Sequence, residues 1–451
     1  MARSTLPESD LGIDVDPRAL CAALRGECSA SLFLEGTGDL DQGWSPLVAV
    51  DAEPILVWRR RDRGEAAPLD VLERLVAERR RRGGGPGTGI AALLGFDVPS
   101  PTGTSSPESR ALPDIVVLAV DAAVRFPHGT GPVLSVRAGH DGSEARARVE
   151  RVATDLERGE RAREAEPRPV AAERALTSLP RERYLRAVEV VKRHIRDGDI
   201  YQANLTQRFE VACARDAFGL YRELSDAAPG PRSAFVEVDD LAVASVSPET
   251  FLRSDREGNV ETRPIKGTRP RSGDPAEDEA LARELLESPK DRAELVMIVD
   301  LERNDLGRVC RVGSVRVPVL AELRSYSAVH HLVARVTGTL LPDAGPARLI
   351  GATFPGGSVT GAPKLRALEI LRSLEPAPRN FYTGSLLWFG DDGSLESSIL
   401  IRTVVLSRRR AYLGAGGGVV ADSDPEAEWI ESGHKARRLA QVLGFAPEEA
   451  S

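Results

Sequence analysis

Long runs of strand-forming residues, separated by charged helical segments, constrain the fold of this chain more than any other feature. Beyond residue 200 the strand-like runs include ANLTQRFEVAC, SAFVEVDDLAVASV, ETFLRSD and NVETRPIKG. The segment PAEDEALARELLESPKDRAELVMIVDLERND that follows them has a helical pattern instead. Long strands with helices inserted between them form sheets that pack face to face and carry the helices outside. We therefore predict an α+β fold, a large antiparallel-rich β-sandwich with helices on the outside.

The N-terminal third shows the same alternation and ends at a candidate domain boundary. Its strand-like runs are SLFLEG, LVAVDAEPILVW and IVVLAVDAAVRF, and PLDVLERLVAERR is helix-like. A charged helical segment from Ser143 runs into EPRPVAAERALTSLP, where two prolines break the pattern. We therefore predict two domains, residues 1–165 and 178–443, with the boundary near 165–178.

Composition excludes several classes of function. The net charge of the 451 residues is −8 with both signs interspersed, which argues against a nucleic-acid-binding surface. No apolar run approaches the length of a transmembrane helix, and MARSTLPESDLGID lacks the apolar stretch of a signal peptide. The 4 cysteines have no CxxC spacing, so we expect reduced thiols. We predict a cytoplasmic protein that binds neither membranes nor nucleic acid.

Carboxylates on two predicted helices are the first candidate site. On the last helix, Glu428, Glu431 and Lys435 stand at i, i+3 and i+7 and share one face. Glu294 precedes the apolar stretch LVMIV on another helix. One carboxylate from each helix, completed by waters and a substrate carboxylate, would suit Mg²⁺. Spacing alone is equally typical of two solvated surface helices.

Two glycine-rich segments are candidates for holding an anion. In YLGAGGGVVADS, Gly414 and Gly416–Gly418 follow a strand and precede the last helix. Glycine lets backbone N–H groups approach an anion closely, although a flexible turn has the same composition. FPGGSVTGAPK is similar, with Thr360 as the predicted N-cap of a helix and Pro363 as an early helical position.

Lys266 lies in the segment RPIKGTRPR, between Ile265 and Gly267. A lysine that is shielded from water or placed near other cations loses its proton more readily and becomes a nucleophile. An ordinary surface lysine would have the same neighbours in the sequence.

Taken together, these motifs resemble those of the chorismate-utilising enzyme family, and most closely its members that aminate chorismate at C4. The resemblance covers roughly residues 178–443 in the family's order, through DIYQANLTQRF, SVSPETF, TRPIKGT, DRAELVMIVDLERNDLGRV, AVHHLV, FPGGSVTGAPKLRALEIL, SILIRT and AGGGVVADSDPEAEW. It implies a fold like that of anthranilate synthase component I. The N-terminal third matches more faintly, through SLFLEGTG and LLGFD. Related synthases carry a tryptophan pocket around a segment similar to LFLEG, but Gly36 stands where serine is frequent.

The resemblance also implies roles for individual residues. It implies Mg²⁺ as cofactor, with Glu294, Glu428 and Glu431 as its carboxylates. Chorismate and its two carboxylates would be held by Tyr382, Arg402, Lys435, Gly416, Gly417, Gly418, Ser358 and Thr268. Glu249 resembles the general acid that protonates the departing C4 hydroxyl. His331 matches a base that removes a later proton, a step that a 4-amino product does not require.

Two positions bear on which reaction of the family to expect. Gln202 stands where isochorismate and salicylate synthases have a water-activating lysine, and an amide cannot deprotonate water effectively. Lys266 stands where anthranilate synthases have alanine, and in the members that aminate C4 it resembles a covalent nucleophile. We therefore expect amination of chorismate at C4. The alternatives are amination at C2 with loss of pyruvate, as in anthranilate synthase component I, and a non-catalytic tryptophan-binding or scaffold subunit that has kept the fold.

Ammonia, the second substrate, needs a source, which free ammonium salts could replace. A glutaminase of the relevant class needs a cysteine on a glycine-flanked turn, and the contexts ALCAA, GECSA, VACAR and RVCRV do not fit. We therefore predict a separate glutamine amidotransferase subunit that forms a heterodimer with this chain.

Overall fold

A computed structural model describes residues 8–36, 43–59, 68–85, 87–98, 112–159, 175–326 and 329–449. The helices in these ranges are α1 (Pro17–Leu24), α2 (Pro68–Arg82), α3 (Ser143–Glu157), α4 (Arg181–Arg196), α5 (Ala217–Ala227), α6 (Pro275–Glu287), α7 (Pro289–Gly307), α8 (Pro346–Thr353), α9 (Lys364–Leu374) and α10 (Pro425–Val442).

The strands are β1 (Glu8–Asp10), β2 (Ala30–Glu35), β3 (Leu47–Trp58), β4 (Gly89–Leu94), β5 (Ile115–Arg125), β6 (Val133–Val136), β7 (Leu176–Thr177), β8 (Gln202–Ala212), β9 (Arg232–Val238), β10 (Leu241–Ser247), β11 (Thr250–Ser254), β12 (Asn259–Thr262), β13 (Ile265–Pro270), β14 (Arg316–Ser325), β15 (Val329–Thr339), β16 (Gly361–Ala362), β17 (Ser385–Gly390), β18 (Leu395–Ile399), β19 (Thr403–Ser407) and β20 (Arg410–Val419).

The strands form one antiparallel network that divides into two layers. One layer runs β8–β20–β19–β10–β9–β2–β3–β5. The other runs β5–β4–β17–β18–β11–β12–β15, with β13 and β14 both paired to β15. Strand β5 pairs with both β3 and β4 and so joins the layers.

Alternate side chains along each strand fill different cores. Leu32 and Leu34 of β2 lie in one core with Leu386 and Trp388 of β17, between the two layers. Phe33, which points the other way, packs in a core beneath α1, α3, α5 and α10. The second layer buries its outer face against α2, α7 and α8. The predicted β-sandwich with helices outside is therefore confirmed.

Strands from the N-terminal third belong to both layers. Strand β2 pairs with β9, and β4 pairs with β17. Most of the predicted boundary lies outside the described residues, at 160–174. The division into 1–165 and 178–443 stays a prediction, as does a tryptophan pocket. Among the described helices, none combines the length and the hydropathy that a membrane crossing requires.

Candidate active site

The glycines of YLGAGGGVVADS lie inside strand β20, which corrects their predicted place between a strand and the last helix. Gly416, Gly417 and Gly418 pair with Thr206, Leu205 and Asn204 of β8. On the opposite edge, β19 pairs only with Arg410–Leu413 of β20. Strand pairing within the described residues therefore leaves the second backbone edge of Gly416–Gly418 open.

This glycine strand brings distant parts of the chain together. A Cβ atom on Gly417 would lie 3.0 Å from Glu428 Oε2, 3.6 Å from Glu431 Oε1 and 3.7 Å from Lys435 Nζ. A Cβ atom on Gly418 would lie 2.6 Å from Gln202 Nε2 and 3.6 Å from Lys266 Nζ. The absence of side chains here keeps a space open between the charged face of α10 and Lys266 of β13.

The three predicted residues of α10 share one face, as their spacing indicates. Glu428 is buried, and its Oε1 accepts a hydrogen bond of 2.6 Å from Ser423. Its Oε2 is buried without a partner among the described residues. Glu431 is half-exposed and pairs with Lys435 at 2.7 Å. Lys435 also donates a hydrogen bond of 3.1 Å to the Gly416 carbonyl oxygen.

The predicted metal ligands differ in how their charge is stabilised. Burial raises the pKa of Glu294 and of Glu428, and the charge of Glu431 raises both further. Lys435 holds the pKa of Glu431 below its ordinary value. Nowhere in the described ranges do three acidic, histidine or cysteine side chains converge as a metal cage. Mg²⁺ keeps several waters and needs one or two carboxylates, so the unpartnered Glu428 oxygen beside Glu431 fits this ion. The magnesium site stays a prediction.

Lys266 lies half-buried on β13, directly across the glycine strand from α10. Burial lowers the pKa of its amine, and the positive charge of Lys435 lowers it further. The carboxylates of Glu294, Glu249 and Glu431 oppose this shift. The amine makes no hydrogen bond or ion pair with any described residue. These are the conditions of shielding and neighbouring cations that favour a neutral, nucleophilic lysine.

Glu249 lies between β10 and β11 and is buried. Burial raises the pKa of its carboxyl group to about 7, while Ser358 and Lys266 act in the opposite direction. Neither Glu249 Oε1 nor Ser358 Oγ has a well-formed hydrogen bond within the described part of the chain. Glu249 therefore keeps a proton at neutral pH in a large fraction of molecules and has a free oxygen to offer a ligand.

His331 is buried on β15, and its Nδ1 lies 3.0 Å from Thr268 Oγ1 and 3.4 Å from the Gly267 carbonyl oxygen. Burial lowers its pKa to about 4, and the nearby Arg402 guanidinium contributes. The imidazole is therefore neutral near pH 7. With its proton on Nδ1, the buried Nε2, which has no described partner, is left as an acceptor.

Arg402 and Tyr382 complete the predicted substrate-binding set. Arg402 precedes β19 with a φ of 50°, and burial lowers the pKa of its guanidinium. The positive charge of Arg402 lowers the pKa of His331, so Arg402 lies close to that imidazole. Thr268, which contacts the same imidazole, belongs to this part of the site. Burial raises the pKa of Tyr382, whose ring atoms lie 2.2 Å from where a Cβ on Gly414 would stand. Tyr382 therefore packs against β20 at Gly414.

Sequence reasoning missed part of the site and misplaced one helix start. Helix α9 begins at Lys364 with Pro363 as its N-cap, and the Thr360 hydroxyl donates to the Gly356 carbonyl oxygen at 3.0 Å. The predicted N-cap role of Thr360 is therefore wrong. Glu302 is buried on α7 close to Glu249, and no pattern singled it out. The sequence signal that could have indicated Glu302 was its position on α7, the helix that also carries Glu294.

Comparison with known proteins bears on the identity of this site. A family model for chorismate binding enzymes matches residues 33–441. Aminodeoxychorismate synthase component 1 of Klebsiella aerogenes is 46% identical over 285 residues, 62% of this chain and 63% of that protein. Anthranilate synthase component 1 of Geobacillus stearothermophilus is 43% identical over 307 residues, 66% of this chain and 60% of that protein. These matches thus span less than two thirds of the relatives' length.

The similarity extends to three-dimensional structure. The crystal structure of anthranilate synthase component I from Streptococcus pneumoniae matches with a TM-score of 0.74 at 26% identity, covering 97% of this chain and 100% of that one. Strands β3 to β20, which include the glycine strand, lie within residues 33–441, as do α7 and all of α10 except Val442. The resemblance seen in the sequence is confirmed, and the chain belongs to the chorismate-binding enzyme family.

Proposed function

We propose that this chain is component I of an aminodeoxychorismate synthase, which converts chorismate and ammonia to 4-amino-4-deoxychorismate. The observation that carries the proposal is the Lys266 amine. It stands beside the glycine strand, free of ion pairs with described residues, with its pKa lowered by burial and by Lys435. A neutral amine at this position supports nucleophilic catalysis.

The proposed reaction divides one difficult substitution into two steps. Neutral Lys266 adds at C2 of the ring while Glu249 gives its proton to the C4 hydroxyl, which leaves as water. Ammonia then adds at C4, and the bond between C2 and the lysine nitrogen breaks. The ammonium group formed at C4 loses one proton, which restores Glu249. The open edge of Gly416–Gly418, with Arg402, Tyr382 and Lys435, would hold the substrate carboxylates and fix the ring.

Mg²⁺ would be held by Glu294, Glu428 and Glu431. When bound, it would neutralise charge on a substrate carboxylate and on the carboxylates that hold it. His331, with Ser358 and Thr268 around it, would act as a neutral hydrogen-bonding group against the ring. No step of the proposed amination requires it as a base.

Amination at C2 is the alternative, because relatives of both kinds match at comparable identity. Lys266 argues against it, since a covalent lysine at C2 blocks that carbon and directs ammonia to C4. Hydroxylation is disfavoured by Gln202, whose buried amide has no described partner and cannot act as a base. Ammonia would be supplied by a glutamine amidotransferase subunit, because none of the four cysteines has the sequence context of a glutaminase nucleophile.

The experiment is to incubate the chain alone with chorismate, MgCl₂ and ammonium chloride and to identify the product by liquid chromatography and mass spectrometry. We expect 4-amino-4-deoxychorismate without release of pyruvate, which a coupled lactate dehydrogenase assay measures. Anthranilate with equimolar pyruvate would establish the alternative, and no turnover would favour a non-catalytic subunit. With glutamine in place of ammonium we expect no product. Turnover of glutamine by the chain alone would contradict the predicted partner.

A further inference from the structure

Two buried glutamines of strand β8 differ in the bonding of their amides. Gln207 is 2% exposed; its Oε1 accepts a hydrogen bond of 2.8 Å from the Thr177 hydroxyl, and its Nε2 donates one of 2.9 Å to Ser432 Oγ. Gln202 has no exposed surface, yet neither its Nε2 nor its Oε1 has a partner among the described residues. Burial of an amide without hydrogen bonds destabilises the free protein. The amide at position 202 therefore has the properties of a group that is kept for a ligand.

The backbone that carries this amide is fixed on both sides. Gln202 pairs with Ala362 of β16, and its neighbour Ala203 pairs with Gly361 of β16 and with Val419 of β20. A Cβ atom on Gly361 would lie 2.2 Å from the Gln202 carbonyl oxygen, so β16 packs closely against β8 at this point. A polar side chain on a strand that is paired on both edges is held in place before any ligand binds.

The amide of Gln202 and the amine of Lys266 border the same spot of the glycine strand. A Cβ atom on Gly418 would lie 2.6 Å from Gln202 Nε2, 3.1 Å from Gln202 Cδ and 3.6 Å from Lys266 Nζ. The Lys266 amine likewise has no hydrogen bond or ion pair with a residue that the structure describes. An amine that can donate and a carboxamide oxygen that can accept thus face one space, next to the open edge of Gly416–Gly418.

We propose that Gln202 is a catalytic residue whose amide oxygen accepts a hydrogen bond from the Lys266 nitrogen while that nitrogen is bonded to C2 of the substrate ring. The inference rests on the proposed amination and deepens it. Addition at C2 gives the lysine nitrogen a positive charge, and a charged N–H group is a stronger donor than a neutral amine. An uncharged acceptor at this spot stabilises the charge as it develops. This bond leaves Nε2 to donate to the carboxylate on C1, the ring carbon next to C2.

The proton balance explains why an amide, and not a base, suits this position. When neutral Lys266 adds at C2, the two ring double bonds shift by one position, and the C4 hydroxyl leaves as water with the proton of Glu249. The lysine nitrogen keeps both of its protons. When ammonia adds at C4, the double bonds shift back, and the bond between C2 and nitrogen breaks with its electron pair left on nitrogen. The lysine leaves as a neutral amine only if both protons are still present, and an amide oxygen binds such a proton without removing it.

Stability and rate together separate this role from a structural one. Gln202→Met keeps the length of the side chain without its polar groups. Because the free protein offers this amide no described partner, the Tm of the variant without ligands should equal or exceed that of wild type. Its amination rate at saturating chorismate should fall roughly 100-fold. Gln207→Met is the matched control, since it takes a partner from Thr177 and from Ser432, so its Tm should fall while its rate changes far less. Circular dichroism and steady-state rates measure the two quantities.

Mass spectrometry of the intact chain follows the covalent adduct itself. Samples mixed with chorismate and MgCl₂, without ammonium, are quenched in acid, and the adduct appears as a mass gain of chorismate less water. We expect the adduct in wild type, about 100-fold slower formation in Gln202→Met, and none in Lys266→Ala.

The outcomes distinguish the role of Gln202 from the proposed function. Adduct formation at the wild-type rate in Gln202→Met, or a Tm that falls as in Gln207→Met, would overturn the role of Gln202 and leave the proposed function standing. Absence of the adduct in wild type would overturn the covalent route itself. Gln202→Leu replaces the methionine variant in both measurements if that protein does not fold.

Discussion

Glutamates on the two sides of the glycine strand stand in different surroundings. On the side of the proposed general acid, Glu249 and Glu302 are buried, and the pKa of each is raised, to about 7 and about 8. On the side of α10, Glu431 is half-exposed, and Lys435 lowers its pKa. Glu428 lies between these extremes, buried but bonded to Ser423 through one oxygen.

This difference shows how glutamate can act both as a general acid and as a metal ligand in one cleft. A general acid must hold a proton at neutral pH, and the burial that raises the pKa of Glu249 provides this. A ligand of Mg²⁺ must be ionised, and partial exposure with a lysine partner provides that. Lys266 stands within the electrostatic reach of both sides, since Glu249, Glu294 and Glu431 all act on it.

The largest effect is expected from Lys266→Ala. This variant removes the amine whose pKa depends on carboxylates from both sides of the glycine strand. Amination at C4 should fall by roughly 10³-fold or more, because the covalent route is lost. Chorismate binding in the presence of Mg²⁺ should change little, because the carboxylate-holding groups remain. Steady-state rates and a binding isotherm check the two statements. Arg303→Ala is the control, since Arg303 is a half-exposed cation of α7 that pairs with the exposed Asp300 at 2.9 Å and should keep the wild-type rate. Full activity of Lys266→Ala would end the covalent proposal.

A second prediction concerns the space between the two sides. Gly418→Ala would place a methyl group 2.6 Å from Gln202 Nε2 and 3.6 Å from Lys266 Nζ. Because Gln202 is fully buried, the strand or the amide must shift, and we expect the rate to fall about 100-fold with the fold retained. Gly351→Ala in α8 is the matched control, since nothing lies within 4 Å of its added Cβ and its activity should be unchanged. Rates and circular dichroism compare the two variants. Equal activity would show that the glycine strand does not border the substrate.

The charged face of α10 could be predicted from the sequence, because it depends only on helical spacing. Glu428, Glu431 and Lys435 share a face because a helix repeats every 3.6 residues, and the structure has them together on α10. The layered fold was predicted from the long strand-like runs with helical segments between them, and in the structure Leu32 and Leu34 point to one core and Phe33 to another. Local sequence patterns were enough for the shared helix face and for the class of fold.

The surroundings of the buried Glu249 and Glu302 could not be predicted in the same way. The burial of Glu302 depends on the packing of α7 against the turn at residues 357–359, and these segments are far apart in sequence. Thr360 was assigned to a helix start because its residue type suits an N-cap, but α9 begins later, at Lys364. The glycines were placed in a loop because their composition suggests one, whereas pairing with β8 makes them part of a strand. Tertiary contacts decided all three.

A third prediction concerns the proposed Mg²⁺ ligands on α10. Glu428→Gln should weaken Mg²⁺ binding in the presence of chorismate by about 10-fold or more, because an amide, which cannot supply a negative charge to the ion, replaces the carboxyl group whose Oε2 has no described partner. Titration calorimetry with MgCl₂ measures the change, and excess Mg²⁺ should restore part of the rate. Glu426→Gln is the control on the same helix, since Glu426 pairs with Arg181 at the surface. Unchanged Mg²⁺ affinity in Glu428→Gln would remove this residue from the metal site.

The prediction with the smallest expected effect concerns the proton that Glu249 holds. With free ammonia held constant and Lys266 neutral, the rate should fall as pH rises through about 7, because Glu249 is active in its protonated form and loses that proton there. Ser358 lowers the pKa of Glu249, so Ser358→Ala should move this basic limb to higher pH by a few tenths of a unit. Thr360→Val is the control, because the Thr360 hydroxyl bonds to Gly356 and Gly357 instead and should leave the limb in place. Rate profiles between pH 5.5 and 9 measure the limb in each variant. A shift to lower pH in Ser358→Ala would contradict this prediction, because it would mean that the hydroxyl stabilises the protonated acid and helps burial to retain the proton of Glu249.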